Sequence, residues 1–215
     1  MDLDRAAATL DAWPETVDAR WPAVLRAFAT HHLDDPREFV RDGVAMTIAL
    51  DYHARVSAWV RRLDGDAEIA VRLAALAQHV RRFELPRRDY PEGVVGYKRW
   101  RAAAMLRHVE LAKATLASVG YEPALGDRVG AVMLKKQLHH DPGAALLEDA
   151  VCLRFVQDEL AAFAADREPE AVAAIVAKTW AKMSPAGHAA TLAVLPSLSL
   201  SSRLVELVVA ATAAG

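Results

Sequence analysis

The chain has 215 residues, of which 53% are hydrophobic, 25% charged and 7% aromatic, with a net charge of −2 and one cysteine. A lone thiol excludes an intrachain disulfide and argues against a cysteine-based zinc site. The near-neutral balance excludes a general coat for nucleic acid, and the hydrophobic content argues against disorder and for a domain able to bury its own core.

The N-terminal run Met1-Asp2-Leu3-Asp4-Arg5 is acidic and leads into no apolar segment, so no signal peptide is expected. The most apolar stretch, near the C-terminus, is broken by Ser197, Ser199 and Arg203, short of a membrane span. A cytoplasmic location with no membrane partner is the expectation. Residues 1–40 are less regular and read as a helical extension, with one helix over about 15–31 after Trp13-Pro14, ending near Asp34-Asp35-Pro36. From 44 to 63 apolar residues recur at helical spacing (Ile48, Tyr52, Val56, Trp59, Val60), and from 67 to 83 likewise (Ile69, Leu73, Leu76, Val80, Phe83). A third helix is predicted over 94–119, stopping at Gly120 ahead of Pro123. Further helices are predicted at 123–138, 143–164, 168–183, 185–195 and 199–213, with Ser184-Pro185 as an N-cap and first-turn pair. No strand alternation stands out. The reading is all-α: one domain over 1–215, a bundle of about eight or nine helices.

Within 143–164, Ala150, Val151, Cys152, Leu153, Phe155 and Val156 are apolar on nearly every side, which predicts the central helix. Asp149 shares a face with Leu153 and Val156, and Glu148 one with Cys152 and Phe155. An inward carboxylate needs a partner, such as a basic side chain or a ligand. Both acids also suit the first turns of a helix on electrostatic grounds alone. Cys152, mid-helix among apolar residues, reads as a buried hydrophobe rather than a nucleophile.

Between residues 81 and 107 lie eight basic residues, among them Arg82, Arg87 and Arg101, against three acids, Glu84, Asp89 and Glu92. Pro86, Pro91, Gly93 and Gly96 impose an irregular loop between two helices, and Tyr90, Tyr97 and Trp100 lie in or beside it. Arginine offers planar donors for phosphate or carboxylate, and the aromatic rings offer stacking faces. This segment is the predicted anion-binding site; the competing reading is a solvated basic loop with Tyr97 and Trp100 packed in the core. His53, His79 and His108, with Asp149, are the residue types that a metal site would draw from neighbouring helices.

The run 77–87 (Ala-Gln-His-Val-Arg-Arg-Phe-Glu-Leu-Pro-Arg), with Tyr90-Pro91-Glu92-Gly93, Gly96-Tyr97 and Trp100-Arg101, resembles the DUF4202 family, which is uncharacterised. So do the segments 147–153 and 178–185 with Gly187-His188, and the resemblance covers roughly 45–195. More distantly, the chain resembles the HD superfamily of helical metal-dependent phosphohydrolases, through Arg55-Val56, His79, the run 108–112 and the run 149–153. That resemblance implies an HD-like fold and a divalent metal (Mn, Fe or Co) held by His53, His79, His108 and Asp149. The register departs from it. Tyr52 stands where the first His belongs, Val80 replaces the Asp of the His-Asp doublet, and Val151 takes the place of the last Asp. A helix turns about 100° per residue, so a slip of one residue removes a ligand from its site.

Two functions are expected from these residues. The first is an enzyme on a small anionic metabolite, phosphorylated or carboxylated. His79 would be its acid or base, oriented by Glu84 or Asp149. Arg82, Arg87, Arg101, Tyr90, Tyr97 and Trp100 would bind the substrate, and the family-like pattern adds Lys178, Lys182 and His188. The second is a non-catalytic ligand- or nucleic-acid-binding or regulatory module on the same surface. Of these partners, nucleic acid is the less expected, and oligomeric state is not legible.

Overall fold

The computed structural model describes residues 1–13 and 18–213. Among them it contains eleven α-helices and one two-stranded antiparallel sheet. Helix α1 (Leu3–Leu10) starts at Asp2, whose side chain accepts from the Arg5 amide, and α2 spans Trp21–Leu33. Of the helix expected over 15–31, residues 15–17 lie outside the described residues, and α1 was not anticipated.

The sheet is a correction. Strands β1 (Glu38–Arg41) and β2 (Val44–Thr47) pair with Arg41 opposite Val44 and Glu38 opposite Thr47. Asp42 and Gly43 between them both take positive φ, 49° and 78°. An Asp-Gly pair is a strong hairpin signal because both central residues of such a turn need positive φ. The apolar spacing from Val44 onward masked it. Thr47 then caps α3 (Ile48–Leu63), its hydroxyl accepting from the Leu50 amide at 3.2 Å.

Helix α4 (Ile69–Ala77) ends earlier than its apolar pattern suggests. Arg81 adopts φ 52° and turns the chain into two 3₁₀ turns, Arg82–Glu84 and Arg87–Asp89. Helix α5 (Gly93–Ser118) ends as expected, with Gly120 at φ 86°. Helix α6 spans Pro123–Leu134, shorter than predicted because Lys135 takes the left-handed conformation at its end. The stretch read as one helix over 143–164 is two, α7 (Pro142–Asp158) and α8 (Leu160–Ala164), with Glu159 between them. Helices α9 (Pro169–Trp180), α10 (Pro185–Val194) and α11 (Ser202–Ala213) complete the chain, and Ser184 caps α10 as predicted. The total of eleven corrects the expected eight or nine.

Helix α7 holds the centre. It packs against α3, α4, α6, α8 and α10. Its Leu147, Ala150, Leu153 and Val156 are buried with Leu50, Val56, Leu73 and Leu76 in one apolar cluster that runs from Ala6 to Val208. No described helix is long and apolar enough to cross a membrane.

Candidate anion site

The end of α4, the first half of α5, the end of α6 and the middle of α7 converge on a cavity of about 410 Å³. Tyr97, Arg101, Ala104 and His108 line it from α5 at the three- and four-residue spacing of one helical face. Gln78 and His79 come from the turn after α4, and Glu148 and Val151 from α7. Lys135 and Lys182 enter from the turns after α6 and α9. The left-handed turn at Arg81 places Arg82 back against the cavity, where its guanidinium lies 4.7 Å from the centre of the Trp100 ring. Trp100 donates its indole N–H to the Leu85 carbonyl at 2.8 Å, which ties the 3₁₀ segment to α5. Gly96 makes that seat attainable, since a Cβ there would collide with the Pro91 carbonyl.

The charge is one-sided. Arg82, Arg101, Lys135 and Lys182 face a single carboxylate, Glu148. Lys135 Nζ donates to Glu148 at 2.6 Å, and Lys182 Nζ lies 3.9 Å away. Burial alone would raise the Glu148 pKa, but Lys135, Lys182 and Arg101 outweigh it and hold the carboxyl below its ordinary value. Among the described residues, neither Arg82 nor Arg101 reaches a carboxylate. Arg82 instead donates to His79 Nε2 at 3.0 Å. Burial and the neighbouring Arg101 both lower the Arg82 pKa, although Tyr52 and Tyr97 oppose them.

The histidines are neutral for a shared reason. Burial first, and then Arg82, pushes the His79 pKa well below its ordinary range, and burial brings His108 down to about 4. His108 shares its Nδ1 with the Val80 carbonyl at 2.8 Å. A carbonyl only accepts, so Nδ1 carries the proton and Nε2, which has no partner, keeps a bare lone pair. His53 donates from Nδ1 to the Ala49 carbonyl at 2.6 Å and accepts at Nε2 from the His79 amide at 3.3 Å. Burial lowers its pKa to about 3.

Of the residues expected at the site, His79, Arg82, Tyr97, Trp100, Arg101, His108 and Lys182 surround the cavity. The others do not. Glu84 pairs with Arg81 and Arg107 at the surface. Arg87 donates to the Tyr90 and Gly93 carbonyls and braces the loop, lining a neighbouring groove with Arg82 and Trp100. Tyr90 presents that carbonyl to Arg87, not its ring to the cavity. Asp149 accepts from the Ser184 amide at 2.9 Å and hydroxyl at 2.5 Å, so its partner is the start of α10. Burial raises its pKa, and the Ser184 bonds offset only part of that. Gly187 leaves the space Asp149 occupies. Lys178 is exposed, and His188 stacks on Trp180 at 3.7 Å between ring centres. Sequence reasoning left Lys135 and Glu148 open; both face the cavity, and Gln78 was missed. Glu148 was legible in part through its shared face with Cys152, whose Sγ lies 3.9 Å from it. Burial pushes that thiol up to about 12, which leaves it an unreactive neutral group.

The implied metal set does not fit these residues. Asp149 is committed to Ser184, His53 carries its Nδ1 proton against Ala49 and accepts from a backbone amide, and among the described residues no group of three or more His, Cys, Asp or Glu is arranged to hold a metal ion.

The model of a family described as a domain of unknown function, DUF4202, matches residues 22–208. No curated protein and no solved structure matches the chain.

Proposed function

The chain belongs to the DUF4202 family, whose description carries no activity, and we propose that its cavity binds a small anionic metabolite, phosphorylated or carboxylated, and acts on it by acid–base chemistry at His79. The observation that carries this reading is Arg82. A partly buried guanidinium with no carboxylate partner, backed by Arg101, Lys135 and Lys182, needs an anion to complete its field. Glu148 answers only the two lysines. The extended match over 22–208 takes in more of the chain than the resemblance over 45–195 did.

A bound anion also changes His79. It cancels the field of Arg82, which together with burial holds the imidazole neutral, and returns the ring toward the range in which it exchanges protons near neutral pH. The HD-like phosphohydrolase version is left aside, because its ligand set does not form; no step is routed through a metal.

A second reading is a non-catalytic sensor on the same cavity. It is favoured by the starting neutrality of both cavity histidines, which suits recognition as well as catalysis. A panel of phosphorylated and carboxylated metabolites, titrated by calorimetry and then incubated for turnover, separates the two. Binding with a changed product supports the enzyme, and binding without one supports the sensor. Failure of every anion to bind sinks both.

A further inference from the structure

A second cavity of about 330 Å³ lies on the other side of His79, Arg82 and Val151, which line both spaces. Its walls are mostly apolar, from Ile48 and Ala49 on α3 and Phe83 and Phe155 opposite. Two donors in its lining have nothing to donate to. The Tyr52 hydroxyl has no hydrogen-bond partner, and neither does Nε of Arg154. Arg154 is only 8% exposed, with its guanidinium 4.8 Å from the centre of the Tyr52 ring and Nη1 on Glu159. A buried donor without an acceptor costs free energy, so a site that collects two of them beside the unpaired Arg82 is built for an acceptor from outside.

We propose that this second cavity is a separate binding site for a carboxylic acid with an apolar body. The two oxygens of a carboxylate match the two orphan donors, Tyr52 and Arg154, and the chain or ring packs on Ile48, Phe83 and Phe155. The site differs in kind from the first cavity, which faces two lysines and Glu148 and offers orphan acceptors, His108 Nε2 and Gln78 Oε1.

Octanoate is the probe, with 1-octanol as its neutral counterpart, titrated by calorimetry into the full chain. Octanoate binds and octanol binds far more weakly. Tyr52→Phe lowers octanoate affinity about tenfold, the loss of one hydrogen bond to a charged group. It leaves the melting temperature of the free protein unchanged or higher, since it removes an unpartnered hydroxyl. Lys182→Gln, in the first cavity, leaves octanoate binding intact and weakens inorganic phosphate. Octanol binding as tightly as octanoate, an affinity unmoved by Tyr52→Phe, or octanoate binding lost in Lys182→Gln each overturns the proposal. Loss of phosphate binding alone bears on the first cavity.

Discussion

Asp149 and His53 show how one residue type serves a fold rather than a site. Asp149 reads in sequence as an inward acid in need of a partner, and that need is real. Its partner is the N-terminus of α10, through the Ser184 amide and hydroxyl. Asp149→Asn is therefore expected to destabilise the protein by about 1–2 kcal/mol, the value of a helix cap or a charged hydrogen bond, while anion affinity stays unchanged. Thermal unfolding beside calorimetry reads both, and loss of binding at full stability would return Asp149 to the site. The buried histidines set the pH dependence. The folded pKa values of His53, about 3, and His108, about 4, lie below the ordinary 6.5 that the unfolded chain shows. Below pH 6.5 the unfolded state therefore binds more protons, so stability is full above that value and falls as pH drops through 6.5 toward 4 and 3. Urea midpoints at pH 7.5, 6 and 5 are expected to decline in that order, and a flat series would contradict the neutral assignment. No sequence pattern shows this burial. His53, His79 and His108 come from three separate elements, and their shared environment exists only once α3, α4 and α5 pack.

At the scale of elements, the basic segment was legible and its bracing was not. Pro86, Pro91, Gly93 and Gly96 announced an irregular loop, and the structure makes it two 3₁₀ turns seated on α5. What sequence could not assign was the task of each arginine. Arg87 holds the loop's own carbonyls, whereas Arg82, five positions earlier and past the left-handed Arg81, faces the cavity. One backbone conformation decides between them, and spacing does not encode it. Gly96→Ala tests the seat. Its Cβ has no room beside the Pro91 carbonyl, so the start of α5 must shift. A stability loss of about 1–3 kcal/mol, typical of overpacking, is expected together with weaker anion binding. Wild-type stability in this variant would show that the loop accommodates a methyl group freely. The hairpin carries the converse lesson. Asp42-Gly43 stated a turn in plain chemistry, and helical spacing from Val44 onward hid it.

Across the whole molecule, the helical class and the central place of α7 follow from the unbroken apolar surround of residues 150–156, and the structure bears them out. The cavity could not be drawn from that pattern, because its lining comes from four helices and the turns after them. Its meaning rests on a balance visible only in three dimensions: four cations converge on one carboxylate, and the most buried of the arginines has no acid of its own. The most direct test is calorimetric titration of a panel of phosphorylated and carboxylated metabolites against the wild-type chain, Arg82→Gln, and Lys98→Gln, an exposed position outside the cavity. At least one anion is expected to bind the wild type and Lys98→Gln alike. Arg82→Gln is expected to weaken it by about 10- to 100-fold, the value of a charge-assisted hydrogen bond, with the melting temperature preserved. Equal affinity in Arg82→Gln and the wild type would contradict the account.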